Sequence, residues 1–176
     1  MELTELIQSR RSVRAYAADR QVTSEQITGL IQATQMAATW KNSQTGRYYA
    51  AVSPEMQEKV RACLPAFNQK SSANAALIVT TFVKAVSGHT NGTPDNELGD
   101  QWGAYDLGLQ ASYLLLKARD MGLDTLIMGL RDADALRALL SIPENEQIAA
   151  VIALGYREGA PVFRPRKVVD EILKVY

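Results

Sequence analysis

Ser9-Arg10-Arg11-Ser12-Val13-Arg14 places three guanidiniums and two hydroxyls in six positions, the densest chemistry in the chain. Guanidinium forks present planar N–H donors that suit a phosphate or a carbonyl-rich heterocycle. A second basic pair, Arg164-Pro165-Arg166, follows a predicted strand near the other end, with proline stiffening the backbone between its two charges. Lys+Arg and Asp+Glu are 19 each, so arginine is gathered at both ends of a chain with no net charge. A solvated basic surface is the plain reading of either cluster alone. Together they predict that the two ends meet on one anion.

Other reactive groups are sparse. The single cysteine, Cys63, rules out an internal disulfide, and the single histidine, His89, leaves no Cys/His metal cluster. Any Ser, Cys and His triad would depend on His89, in a polar loop. No Gly-x-Gly-x-x-Gly opens a helix, and Gly103 and Gly108 have the spacing of a phosphate loop but precede Leu109-Gln110 rather than Lys-Ser/Thr. Asp132 and Asp134 sit at a helix start, where capping explains them. If the chain is an enzyme, a cofactor must carry its chemistry.

The positioning elements are legible in order. Thr23-Ser24-Glu25-Gln26 is a capping box, followed by Ile27, Leu30 and Ile31 on one helical face, with the helix predicted to end near Ala38. A polar loop from Thr39 to Gly46 leads to a strand over Tyr48 to Val52. Ser53-Pro54-Glu55 starts another helix, and Asn68 to Asn74 reads as a polar connection. Ala76 to Val83 is apolar enough for an interior strand. Residues 85–99 lack periodicity and form a loop whose length suits a lid, with Gly88, Gly92 and Gly99 as hinges. The longest helix, Asp100 to Met121, closes on Gly122. Its leucines point several ways, so its burial is expected to need a second copy of the chain. A strand over Thr125 to Met128, a helix capped by Asp132 and running to about Leu140, a strand over Ile148 to Tyr156 and an amphipathic tail from Val168 to Tyr176 complete one α+β domain over residues 1–176.

The overall neutrality gives no general field favouring nucleic acid or acidic membranes. Charged residues interrupt both the first twenty positions and the apolar region 104–118, so neither a signal peptide nor a membrane span is predicted. A cytoplasmic location is the expectation.

With those pieces placed, the chain resembles the FMN-dependent nitroreductase family along essentially its whole length. The resemblance rests on Arg10-Arg11-Ser12-Val13-Arg14, Asn42-Ser43-Gln44, Asn68, the helix from Asp106 ending in Met121-Gly122-Leu123, Met128-Gly129 and Arg164-Pro165-Arg166. It implies a mixed central sheet flanked by helices, a long central helix at a homodimer interface, and FMN in clefts between two subunits. Arg10, with Arg164 and Arg166, would hold the cofactor phosphate, which carries roughly −1.5 to −2 charge; Arg11 lies in the same motif and Ser12 would add a hydroxyl. Arg14 and Asn68 would face the polar pyrimidine edge of the ring, and backbone N–H groups of Met128 and Gly129 would reach N5 and O4. Ala38, Thr39, Trp40 and Asn42 would line the opposite side from the partner subunit. No side chain is implied as catalytic, and no metal.

Four departures from the family pattern stand out. Ala38 occupies a common proline position, Thr45-Gly46 replace a common Pro-Trp, and Ser71 stands where some relatives are basic. Trp40 is large where small residues are usual, and is expected to narrow the site or stack on the flavin. The implied reaction passes electrons from NADH or NADPH through FMN to a nitroaromatic, a quinone or a similar small-molecule acceptor. The rival readings are a flavoprotein of the same fold with a dedicated non-nitro substrate, a flavin-binding dimer without turnover, and a helical adaptor binding a protein partner through its arginines.

Overall fold

The computed structural model describes residues 2–176. Its centre is a four-stranded sheet ordered β1 (Gly46–Ala51), β2 (Ala76–Val83), β6 (Glu146–Gly155) and β5 (Asp124–Met128). A two-residue hairpin, β3 (His89–Thr90) with β4 (Thr93–Pro94), lies apart from it. Every ladder of the main sheet is antiparallel. Its mixed character resides in one parallel bridge, Ser12 to Thr125, where the arginine-bearing segment joins the outer edge of β5.

Strand periodicity divides the core in two. On β2, Leu77 and Val79 face one layer with Val60, Leu126, Leu136 and Val151. Ala76 and Ile78 face the other, with Leu30, Leu114, Ala118 and Leu154. Alternate side chains leave a strand on opposite faces, so both faces of a nearly all-apolar strand must be covered. Helix α1 (Leu3–Ser9) precedes the arginine segment; α3 (Pro54–Ala62) and α6 (Ala133–Leu140) belong to the first side of the sheet, α2 (Ser24–Thr34) and α5 (Gln101–Asp120) to the second.

Local chemistry explains the helix boundaries. Thr23 and Gln26 form the expected reciprocal capping box. Ser53 Oγ accepts from Met56 N at 3.2 Å and Asp132 Oδ1 from Ala135 N at 3.0 Å. At the end of α5, Gly122 takes φ +76°, and Leu123 N donates to Ala118 O at 2.8 Å, closing the helix. Helix α2 stops at Thr34 rather than near Ala38, in hydrogen-bonded turns at Met36 and Ala37.

Three regions depart from the sequence reading. Residues 68–71 are not a connection but part of α4 (Ala66–Ser71), a short helix held by Gln69 Nε2 donating to Leu64 O at 2.7 Å and Ser72 Oγ to Asn68 O at 2.8 Å. Polar residues that favour turns on their own are here satisfied by local tertiary partners. Residues 85–99 are more than a slack loop: Ser87 Oγ donates to Asp106 Oδ2 at 2.6 Å and Asp95 N to Gly88 O at 2.7 Å. The tail forms only a 3-10 turn at Val169–Glu171, with Ile172 and Leu173 exposed. An amphipathic pattern folds only where a complementary surface buries its apolar side.

Residues 12–17 are stitched between the sheet edge and the exit of β6. Val13 N donates to Thr125 O at 3.0 Å, Ala17 N to Tyr156 O at 2.9 Å and Glu158 N to Ala15 O at 2.9 Å. Tyr16, 1% exposed, is the rivet, its hydroxyl donating to Val13 O at 3.1 Å. A Cβ on Gly155 would lie 2.8 Å from the Tyr16 ring, so the strand end must be glycine for this ring to pack.

Burial, reinforced by the negative charge of Asp124, raises the Tyr16 phenol well above its ordinary range. The folded state therefore favours the neutral phenol. Its stabilising effect is complete below the unfolded value, near 10, and is lost as pH rises beyond it. Stability is expected to fall between pH 9 and 11 in wild type, and less steeply in Tyr16→Phe. Parallel slopes of urea midpoint against pH in the two proteins would disprove this linkage.

Candidate cofactor site

The stitching of residues 12–17 beside β5 and the exit of β6 brings the ends of the chain together. Arg10, Arg11, Arg14, Arg164 and Arg166 line one cavity of about 110 Å³, with Ser12 and Val162. A larger hollow of about 420 Å³ shares Ser12, Arg14 and Arg164 with it. Burial first, then the neighbouring charges of Arg166 and Arg11, pull Arg10 below the ordinary guanidinium value. Among the described residues none of these five arginines takes part in a salt bridge. Like charges crowded without a carboxylate disfavour one another, and a bound dianion would relieve that.

Arg11 is the most constrained of the set. Its Nη1 donates to Gln8 O at 2.5 Å and Arg10 O at 2.8 Å, and its guanidinium lies 4.9 Å from the Phe163 ring centre. Arg14 Nη1 reaches Ser12 O at 3.4 Å. Phe163 is absent from the residues the sequence singles out; an aromatic residue next to Arg164 is the signal that points to it.

Asn68, Ser71, Met128 and Gly129 form the second group. Asn68 Nδ2 donates to Leu130 O at 3.1 Å, so α4 is tied to the chain just beyond β5. Ser71 lies on the same short helix, half-buried. Met128 is 2% exposed, while Gly129 is open and a Cβ there would meet nothing within 4 Å. Glycine is therefore not required at 129 by packing or by positive φ. Thr125 beside Ser12 and Met128 are three strand residues apart, roughly 10 Å. That strand spaces the arginine cavity from the exposed Gly129 backbone.

Ala38, Thr39, Trp40 and Asn42 are elsewhere. Trp40 N donates to Asp106 Oδ2 at 3.0 Å, and the Trp40 ring lies 4.5 Å from that of Trp102, near the start of α5. Its indole Nε1 donates to Asp95 Oδ2 at 3.2 Å. Lys41, Asn42 and Gln44 all have positive φ, an unusual concentration of left-handed backbone in non-glycine residues. The arginine cavity adjoins the other end of α5, where Arg119 Nε donates to Ser9 Oγ at 3.3 Å. From Asp106 to Arg119 the helix rises roughly 20 Å. One chain therefore does not bring residues 38–42 and the arginines onto one small ligand.

Buried acids complete the surroundings. Asp106 is 3% exposed and ties both the Trp40 loop and Ser87 to α5. Among the described residues no group of three or more His, Cys, Asp or Glu is placed to hold a metal ion. No helix is long and apolar enough to cross a membrane, again among the described residues.

The nitroreductase family model matches residues 7–156. The chain belongs to the nitroreductase family. A relative from Archaeoglobus fulgidus, provisionally named an NADH dehydrogenase/NAD(P)H nitroreductase, is 30% identical over 159 residues, covering 88% of this chain and 85% of its own. Two solved structures show the same nitroreductase fold. A nitroreductase-like protein from Streptococcus mutans aligns with TM-score 0.84 at 18% identity, covering 98% of this chain and 97% of the other. A protein from Exiguobacterium sibiricum, solved in complex with FMN, aligns with TM-score 0.83 at 19% identity, covering 100% of this chain and 98% of the other. In this nitroreductase chain the five cavity arginines stand without a salt bridge among the described residues, and Gly129, just past β5, has open space where a Cβ would lie.

Proposed function

We propose that this nitroreductase-family protein is an FMN-dependent NAD(P)H oxidoreductase that acts as a homodimer on a nitroaromatic, quinone or similar small-molecule acceptor. The observation that carries the reading is the meeting of Arg10, Arg11 and Arg14 with Arg164 and Arg166 around one cavity without a neutralising carboxylate. The cavity has the charge for the phosphate of FMN, and the open Gly129 backbone provides room beside the strand for a planar ring. FMN, when bound, would supply the two-electron chemistry that no side-chain constellation here offers.

In this reading Arg10, Arg164 and Arg166 hold the phosphate, Arg11 shapes the cavity with Phe163, and Ser12 contributes its hydroxyl. Arg14 supplies positive charge to the polar edge of the ring. Asn68 keeps its oxygen available there while its nitrogen fixes Leu130. Backbone N–H groups of Met128 and Gly129 orient the ring, and Ser71 borders the pocket without adding charge.

Two features support the homodimer. Residues 38–42 lie at the far end of α5 from the arginines, so in this reading they reach the ligand from a second chain. The reverse face of α5 is also open: Ala104, Gly108 and Ser112 are exposed, with Tyr105 and Tyr113 standing out at 60% and 46% exposure. Small residues with projecting tyrosines suit close approach of a second helix. Trp40 would then wall the partner's acceptor pocket.

Purified protein given FMN is expected to turn yellow, to elute as a dimer, and to lose its flavin absorbance when mixed anaerobically with NADH or NADPH. Protein that takes up no flavin defeats the cofactor assignment. Bound flavin that stays oxidised with both nucleotides defeats the oxidoreductase assignment alone.

A further inference from the structure

Besides the cavity arginines the structure holds a second ionic group, in which two further arginines share one buried carboxylate. Asp124, at the start of β5, is 3% exposed. Its Oδ2 accepts from Arg157 Nε at 2.8 Å and from Arg119 Nη1 at 3.5 Å, while its Oδ1 is buried without a partner. One carboxylate oxygen thus serves as a common pivot for two cations.

Each cation leads to a different arm of the cofactor site. Arg119 spans from Asp124 to Ser9 Oγ at 3.3 Å, and Ser9 adjoins Arg10. Arg157 opposes Tyr16 in an antiparallel bridge, and Glu158 N donates to Ala15 O at 2.9 Å just beyond it. The chain continues from there to Arg164 and Arg166.

We propose that Asp124 is a positioning residue for the phosphate end of the site: through Arg119 and Arg157, one buried carboxylate sets the register between the arm carrying Arg10 and the arm carrying Arg164 and Arg166. The inference rests on the FMN reading and assigns a role that reading does not contain. Asp124 touches no ligand. Its single negative charge offsets one of the two cations, and its oxygen, shared by both, fixes the spacing of the arms. A phosphate gripped from two sides depends on that spacing more steeply than a ring lying on a strand end.

The sign of the effect separates positioning from electrostatic field. Asp124→Asn keeps the shape and removes a negative charge near the arginines. By field alone, FMN would bind more tightly. Loss of register instead predicts looser binding, confined to the phosphate. A purely structural ion pair would weaken every flavin alike.

The test compares FMN with riboflavin, which lacks the phosphate, titrated by flavin fluorescence at one ionic strength. In Asp124→Asn the FMN Kd is expected to rise about tenfold, with the riboflavin Kd changed less than about twofold. Arg119→Lys keeps the charge but loses the fork that reaches Ser9 and Asp124 together. It is expected to show a smaller, equally FMN-selective loss, and it decides the matter if Asp124→Asn does not fold. Unchanged or tighter FMN binding overturns the proposal, as do equal losses for the two flavins. Wild type that binds riboflavin and FMN equally removes the phosphate site itself, and wild type that binds neither defeats the FMN reading and this inference with it; neither pattern resembles the wild-type selectivity lost in the variants.

Discussion

Replacing Arg10 and Arg166 together with alanine is expected to weaken FMN binding about a hundredfold or more. Hydrogen bonds to charged groups are each worth roughly 1.5–3 kcal/mol, and about 1.4 kcal/mol changes an affinity tenfold. The lower end of that range applies because Arg166 is exposed and solvent screens its charge. The loss should be selective, with riboflavin affected only a few-fold, since the two guanidiniums address the phosphate. Arg11→Ala should cost less than Arg10→Ala, because Arg11 already spends donors on Gln8 O and Arg10 O. Calorimetric or fluorescence titration of both flavins checks this. FMN affinity undiminished in the double variant would remove the foundation of the cofactor assignment.

Tyr16→Ala is expected to be among the most damaging single changes to the fold, costing about 3–5 kcal/mol as large buried aromatics do. For a domain of this size that corresponds to a melting decrease of roughly 6–20 °C. The ring fills the space that Gly155 leaves, and its hydroxyl fixes Val13 O. Without it the stitched segment 12–17 loses its anchor, so the arginines should also lose their common orientation. Tyr16→Phe retains the ring and should cost only about 1 kcal/mol, the net worth of one hydrogen bond. Urea melts of the three proteins at pH 7.5 separate the contributions. An alanine variant no less stable than the phenylalanine one would show that the ring does not anchor the segment.

Much of the secondary structure followed from local chemistry. The capping box at Thr23, the Ser53-Pro54 start, the Asp132 cap and the Gly122 stop are decided within a few residues, so the sequence predicts the starts of α2, α3 and α6 and the end of α5 almost to the residue, while the end of α2 falls four residues short of its predicted place. Strand β2 is equally legible, since eight consecutive apolar or β-branched residues have no stable place outside a sheet. Helix α4 was not legible: its polar residues favour a turn unless Leu64 and Ser72 are nearby to satisfy them. The tail has an amphipathic pattern, yet its apolar Ile172 and Leu173 are exposed and it forms only a 3-10 turn.

For the candidate site, the clustering of arginine at both ends of a neutral chain predicts that those ends meet, and the structure brings Arg10, Arg11, Arg14, Arg164 and Arg166 around one cavity. The rest was decided by tertiary structure. The parallel bridge from Ser12 to Thr125 and the bonds from 15 and 17 to the exit of β6 make two distant segments neighbours, a long-range pairing that no local pattern encodes. The same folding placed Trp40 at the opposite end of α5 and drew Asp124, an ordinary acidic residue in sequence, beneath two arginines. Residue types fix which ligand chemistry is available; burial and strand pairing fix which of those residues face it.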